Sequence, residues 1–255
     1  MVKIIILALV QGLTEFLPIS SSGHLALLSR WFSSSPSDFF LAVFLHGGTL
    51  LATIYYFWPD IRQMAVGLRK PETEGRNYLK AVIIGSIPVA LFGLPLEHRA
   101  EKVFGSVSLL AVMFLITSLF LATAGLKREG KRSLNVRNAF MVGLAQLVAV
   151  LPGISRSGST ISAGLILGIS REEAFRFSFL LSLPAVAGAF LIETAKAFRS
   201  GIMAPGPYLI FGFILSFGAG LLALSLLRRV VLSGRLAWFS LYLLLLSALL
   251  LFKGG

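Results

Sequence analysis

The chain has 255 residues, of which 56% are hydrophobic and only 13% charged, and its mean hydropathy is +0.86. A soluble domain carries roughly twice that charged fraction, so a single water-facing globule is excluded. The net charge of +12 suggests nucleic acid, but the basic residues cluster in short loops between apolar runs, the pattern of cytoplasmic loops in membrane proteins, and no nucleic-acid partner is expected.

About 20 apolar residues make one helical span of a bilayer, so the length allows about six to eight. Cysteine is absent, which removes disulfides, thiolate nucleophiles and Cys-ligated metals. Lys3 followed by Ile4–Val10 faintly resembles a signal peptide. The run is short and leads into Gln11-Gly12-Leu13-Thr14-Glu15 without a small-residue cleavage site, so it reads as mature protein.

The first element, 2–31, is apolar at both ends and broken at Pro18-Ile19-Ser20-Ser21-Ser22-Gly23. Spans follow at 39–58, 79–96 and 103–125. A second broken stretch, 139–169, is interrupted at Pro152-Gly153-Ile154-Ser155-Arg156-Ser157-Gly158, and spans follow at 173–195, 206–226 and 236–252. Pro and Gly at this density end a helix. Each broken stretch is two half-helices around an irregular tip, which either re-enters on one face or crosses with a kink. Irregular backbone at membrane depth is tolerated only where protein or a wet cavity covers it.

One constant offset carries Gln11 onto Gln146, Ser20 onto Ser155, Ser22 onto Ser157 and Gly23 onto Gly158. It also carries Asp38 onto Glu173, Phe40 onto Phe175 and Phe44 onto Phe179. The pattern reads as a duplication. The halves are 1–125 and 139–255, joined by a basic loop, 126–138. The segments 59–80, 126–138 and 227–235 hold 13 of the 23 Lys and Arg and are expected in the cytoplasm. Six full spans then leave both termini outside. Each half has one re-entrant stretch and three spans, an odd number, so the repeats are inverted. The expected fold is an all-α integral membrane protein with six transmembrane helices, two re-entrant segments and an inverted-topology repeat.

Three ionisable residues sit at or beside the tips, Glu15, His24 and Arg156. At membrane depth such a residue is expensive and points to function. The alternative is a structural Glu15–Arg156 ion pair that pins the tips, and the two readings are compatible. Arg156 lies among Ser155, Ser157, Gly158, Ser159 and Thr160. A planar guanidinium fork, hydroxyl donors and a helix N-terminus all suit phosphate oxygens. The first tip offers hydroxyls at Ser20, Ser21 and Ser22, and an imidazole at His24 that can serve as base, nucleophile or proton donor. Gln11 lies one helical turn before Glu15, so the pair could give oxygen ligands to a hard cation, with the rest from substrate phosphates. His46, beside Gly47-Gly48-Thr49, reads as a packed polar residue at a close helix contact. Arg176 and Glu193 sit near span ends and can snorkel. Ser178 and Ser182 read as helix–helix contacts.

The run Gln11–His24 resembles the first signature of bacterial undecaprenyl pyrophosphate phosphatases, the bacitracin-resistance family. Pro152–Thr160 resembles their second signature, and the similarity extends over essentially the whole chain. The resemblance implies hydrolysis of undecaprenyl pyrophosphate to undecaprenyl phosphate and inorganic phosphate, a polyprenyl pyrophosphate lipid as substrate, and recycling of the cell-wall lipid carrier. It further implies a bacterial inner (cytoplasmic) membrane location, a site open to the outer face, and Mg2+ or Ca2+ as cofactor. The family has Glu or Gln at the position of Gln11, so Glu15 is the only acid of the pair here.

In the expected mechanism Arg156 and its tip hold the pyrophosphate, Glu15 is near a metal, and Ser21 is the nucleophile with His24 as base. His24 as nucleophile, and His24 activating water, stay open. The rival class is an anion or lipid-phosphate transporter or flippase on the same inverted-repeat architecture. The exposed apolar faces suit lipid or a second copy in a homodimer equally.

Overall fold

The computed structural model describes residues 1–29, 36–70, 73–199 and 206–253, apart from the side chains of 29, 36–40, 97–104, 197–198 and 253. The described residues form eleven helices, no sheet, and one isolated bridge between Arg132 and Ile169. The first broken stretch is α1 (Val2–Thr14) and α2 (Ser21–Ser29). Next come α3 (Pro36–Tyr56), α4 (Trp58–Arg69), α5 (Glu74–Gly105) and α6 (Val107–Gly125). The second broken stretch is α7 (Val136–Val148) and α8 (Arg156–Ile166). The chain closes with α9 (Arg171–Arg199), α10 (Pro207–Leu232) and α11 (Ala237–Lys253). The paired matches at Asp38 and Phe40 concern side chains outside the described residues.

Both tips form where the prolines and glycines fall. Each second half-helix is capped in the same way. Ser20 Oγ accepts the Gly23 N–H at 3.3 Å, and Ser155 Oγ accepts the Gly158 N–H at 3.1 Å. A Ser N-cap satisfies one of the donors that a helix start leaves free. The next hydroxyl meets the cap as well, with Ser20 Oγ 3.2 Å from Ser22 Oγ and Ser155 Oγ 3.3 Å from Ser157 Oγ.

The described helices differ from six full spans. Four are long and apolar enough to cross a bilayer: Glu74–Leu96 within α5, α6, Arg171–Lys196 within α9, and α10. A fifth is available if α3 and α4 count as one span bent by 71°. The 39–58 run stops at Tyr56 because Pro59, in the first turn of α4, has no N–H to continue the ladder. Beyond the bend, α4 carries Asp60, Arg62 and Arg69 where the sequence suggested loop. Helix α11 has 17 residues, about 26 Å against a hydrocarbon core of about 30 Å. Helix α5 runs on to Gly105, so the third span starts at Val107 rather than 103, after Ser106, which accepts the Leu109 N–H.

The helices pack chiefly in the pairs α6–α11, α3–α10, α5–α7 and α1–α10. Small residues bring the backbones together, as expected where lipid offers no hydrophobic drive for association. A Cβ on Gly143 would strike the backbone carbonyl of Gly85, so only glycine allows α7 that close to α5. Polar links add to this. Ser118 Oγ donates to Ser240 O at 2.8 Å, and Ser247 Oγ donates to Ala111 O at 2.7 Å, both across α6–α11. Under the first tip lies an aromatic cluster of Phe16, Phe57, Phe175 and Phe179. Phe175 and Phe179 have ring centroids 5.1 Å apart, and Phe16 lies 5.8 Å from Phe179. Such edge and offset pairs add to the burial of the rings themselves.

Candidate active site

The two tips touch. A Cβ on Gly158 would sit 3.3 Å from Pro18 Cβ, and one on Gly23 would sit 3.1 Å from Gly153 Cα. This contact brings one side chain from each tip into a short ion pair, with Arg156 Nη2 2.6 Å from Glu15 Oε1. Both groups are largely buried, at 18% and 10% side-chain exposure. Unpaired, either charge would be costly at this depth.

The other carboxylate oxygen is equally engaged. Ser21 Oγ donates to Glu15 Oε2 at 2.6 Å, and Gln11 Nε2 donates to it at 3.0 Å. The α1 turn explains Gln11, which is four residues from Glu15 on the same face. The start of α2 explains Ser21. Ser20 adopts φ +70°, a left-handed conformation that non-glycine residues seldom take. That turn folds the chain back so that Ser21 faces Glu15.

Glu15 and Arg156 line a small cleft together with Thr49, Thr53 and Ser182, bordered by Leu50, Leu183 and Val186. Two buried polar atoms at the site have no protein partner among the described residues, Arg156 Nη1 and Gln11 Oε1. Buried donors and acceptors are nearly always paired, and Ser159 Oγ and Ser162 Oγ on α8 likewise lack a protein partner among the described residues. No cluster of three or more His, Asp or Glu that could hold a metal by itself occurs among the described residues.

The remaining residues named from sequence hold the tips. Ser20 and Ser155 are the helix caps, and Ser22 and Ser157 bond to them. Thr160 Oγ1 donates to Arg156 O at 2.8 Å and lies 2.5 Å from Ser178 Oγ, which ties α8 to α9. Ser178 is thus the interhelical contact that its position suggested. Ser182 Oγ bonds the Phe179 carbonyl within α9 and also borders the cleft.

His24 and Ser21 are not bonded to one another. His24 Nδ1 lies 2.8 Å from Ser20 O and Nε2 lies 2.7 Å from the Tyr242 hydroxyl, while Ser21 donates its hydrogen bond to Glu15. Among the described residues the imidazole that approaches the carboxylate is instead His46, whose Nε2 is 4.0 Å from Glu15 Oε2 and whose Nδ1 is 2.8 Å from Ala42 O. The close helix contact expected there is real as well, since a Cβ on Gly48 would meet Phe213 O at 2.6 Å.

Four participants escaped the sequence reading. Thr117 on α6 accepts the Ser155 N–H at 3.1 Å and lies 3.1 Å from Gly153 O, which clamps the second tip. Tyr242 on α11 holds His24. Thr49 and Thr53 line the cleft. A polar residue inside an otherwise apolar span is the one signal that could have pointed to Thr117.

Long apolar helices packed around a buried acid, hydroxyl and guanidinium define a multi-pass membrane protein. Residues 4–249 match the family model described as bacitracin resistance protein BacA. The chain belongs to that family. It is similar to proteins named undecaprenyl-diphosphatase from three sources. It is 37% identical over 253 residues to that of Thermosipho africanus, covering 98% of this chain and 99% of that protein. It is 42% identical to that of Korarchaeum cryptofilum over 93% of each chain. It is 38% identical to that of Mycolicibacterium smegmatis, over 98% of this chain and 95% of the other.

Proposed function

We propose that this chain hydrolyses undecaprenyl pyrophosphate to undecaprenyl phosphate and inorganic phosphate. The activity recycles a cell-wall lipid carrier and so confers resistance to bacitracin. The observation that carries the reading is the Ser21 hydroxyl donating to Glu15 while Arg156 holds the other oxygen of that carboxylate. An alcohol bonded to a buried carboxylate beside a guanidinium is a nucleophile, a base and an anion clamp at one point.

Arg156 Nη1, at the start of α8, receives the pyrophosphate. Ser21 Oγ attacks the terminal phosphorus and passes its proton to Glu15. The bond from that phosphorus to the bridging oxygen breaks, and its electron pair leaves with undecaprenyl phosphate. Water then attacks the phosphoserine, and both of its protons stay with the phosphate that forms. The Ser21–phosphorus bond breaks, Ser21 recovers its proton from Glu15, and inorganic phosphate departs. The charge that builds on the transferred group is stabilised by Arg156. In a second reading Glu15 activates water directly, and Ser21 only orients it.

The site suits a hard divalent cation, Mg2+ or Ca2+. Glu15 and the unpartnered Gln11 Oε1, one turn apart, are the residues that would hold it together with substrate phosphates. When bound, the cation neutralises phosphate charge.

We also infer the inverted repeat with six spans. Two kinds of observation support it: the matching Ser20 and Ser155 caps, and the pairing of α1 with α10 mirrored by that of α7 with α5. The protein then sits in the bacterial cytoplasmic membrane with the site open to the outer face and the basic loops inside. A transporter needs no alcohol bonded to a carboxylate, so that class is not favoured. The test is phosphate release in detergent with and without a chelator. Release that is lost with the chelator and restored by Mg2+ or Ca2+ is expected. Absence of release under all conditions contradicts the reading.

A further inference from the structure

We propose that Tyr242 is a positioning residue for this reaction. Its hydroxyl locks His24 into a brace on the Ser20 carbonyl, and the brace keeps Ser21 aimed at Glu15. The inference rests on the phosphatase reading and adds a residue from the last helix, 218 positions away in sequence.

The Ser20 carbonyl accepts twice from His24, from the backbone N–H at 3.2 Å and from the ring Nδ1 at 2.8 Å. A carbonyl can only accept, so Nδ1 carries the hydrogen. In the neutral ring Nε2 then only accepts, and Tyr242 donates to it at 2.7 Å. Both ring nitrogens are spent. The ring is held further by Phe114, whose edge packs at 5.4 Å, and by the near-parallel Tyr242 ring, 14° from coplanar orientation.

The brace acts where the backbone needs it. Ser20 is the non-glycine residue with positive φ among the described residues, and it directly precedes Ser21. Such a turn persists only when its surroundings over-determine it. A relaxed Ser20 would rotate the start of α2 and carry Ser21 off the carboxylate. His24 therefore acts through the backbone of Ser20, and Glu15 takes the Ser21 proton.

The test has a spectroscopic arm and a kinetic arm, both on the full chain in detergent. Nitrogen-15 spectra of labelled histidine should report His24 as the neutral Nδ1–H tautomer, and Tyr242→Phe should shift it to a tautomer mixture. An Nε2–H tautomer in the unaltered protein overturns the brace. In the kinetic arm, Tyr242→Phe should lower kcat by about threefold to tenfold with KM nearly unchanged, the size of one neutral hydrogen bond. His24→Asn keeps a donor for the Ser20 carbonyl and has no basicity. It should retain activity within about tenfold, and the double variant should be no worse than the worse single. A loss of about a hundredfold or more for His24→Asn, with Tyr242→Phe unaffected, makes His24 the base and overturns the proposal. If the unaltered protein releases no phosphate, the phosphatase reading fails, and the spectra alone decide the brace.

Discussion

Arg156 and Glu15 meet at 2.6 Å although 141 residues separate them. Each sits on an irregular tip in an otherwise apolar chain, and each is the other's counter-charge. The same pair anchors the fold and presents the chemistry.

Removing one member should therefore do two things. Arg156→Ala leaves Glu15 as a buried unpaired acid, a defect of roughly 3–5 kcal/mol. Thermal unfolding in detergent should reveal a large drop in Tm, partly recovered when Glu15→Gln is added. Phosphate release should fall by at least about a hundredfold in Arg156→Ala, and Arg156→Lys should not rescue it, because an ammonium lacks the planar fork.

The three serines of the first tip should separate. Ser21→Ala removes the hydroxyl bonded to Glu15 and should abolish burst formation of a phosphoenzyme, with a loss of at least about a hundredfold in kcat. Ser22→Ala removes only a bond to the Ser20 hydroxyl and should change kcat less than about threefold. Steady-state rates and trapping of phosphoserine from labelled substrate check both.

Gln11→Glu places a second carboxylate on the face that carries Glu15. A cation should then bind more tightly. The Mg2+ or Ca2+ concentration for half-maximal activity should fall several-fold relative to the unaltered protein. A titration after chelator treatment measures it.

Thr117→Val keeps the shape of the side chain and deletes its hydroxyl. The Ser155 N–H then loses its partner inside the protein, a penalty of about 1–3 kcal/mol. Lower Tm and a raised KM are expected, since the tip that receives the phosphate loosens.

The tips were legible because Pro18, Pro152 and Gly153 interrupt long apolar runs, and such interruptions have few causes. The Glu15–Arg156 pairing was legible because buried charges need partners. Helix α4 was not. Its charges look like a loop until Pro59 is seen to start a new helix rather than end an old one. Tyr242, Thr117 and the approach of His46 to Glu15 were hidden for a different reason. Each acts across a helix contact, and which face of a span turns toward the site depends on packing in three dimensions. The sequence of an apolar span, Val107–Gly125 for instance, has little polar asymmetry to announce it. The orientation of the His24 ring depends on packing in the same way. His24 is one turn from Ser21, but helix geometry turns its ring toward α11.

The central claim is that Glu15, Ser21 and Arg156 form one phosphoryl-transfer site. The most direct measurement is inorganic phosphate released from undecaprenyl pyrophosphate by purified protein in detergent, with Mg2+ present, for the unaltered chain and for Glu15→Gln. Steady turnover by the unaltered chain and a loss of at least about a hundredfold in Glu15→Gln are expected. Equal release by the two proteins would contradict the account.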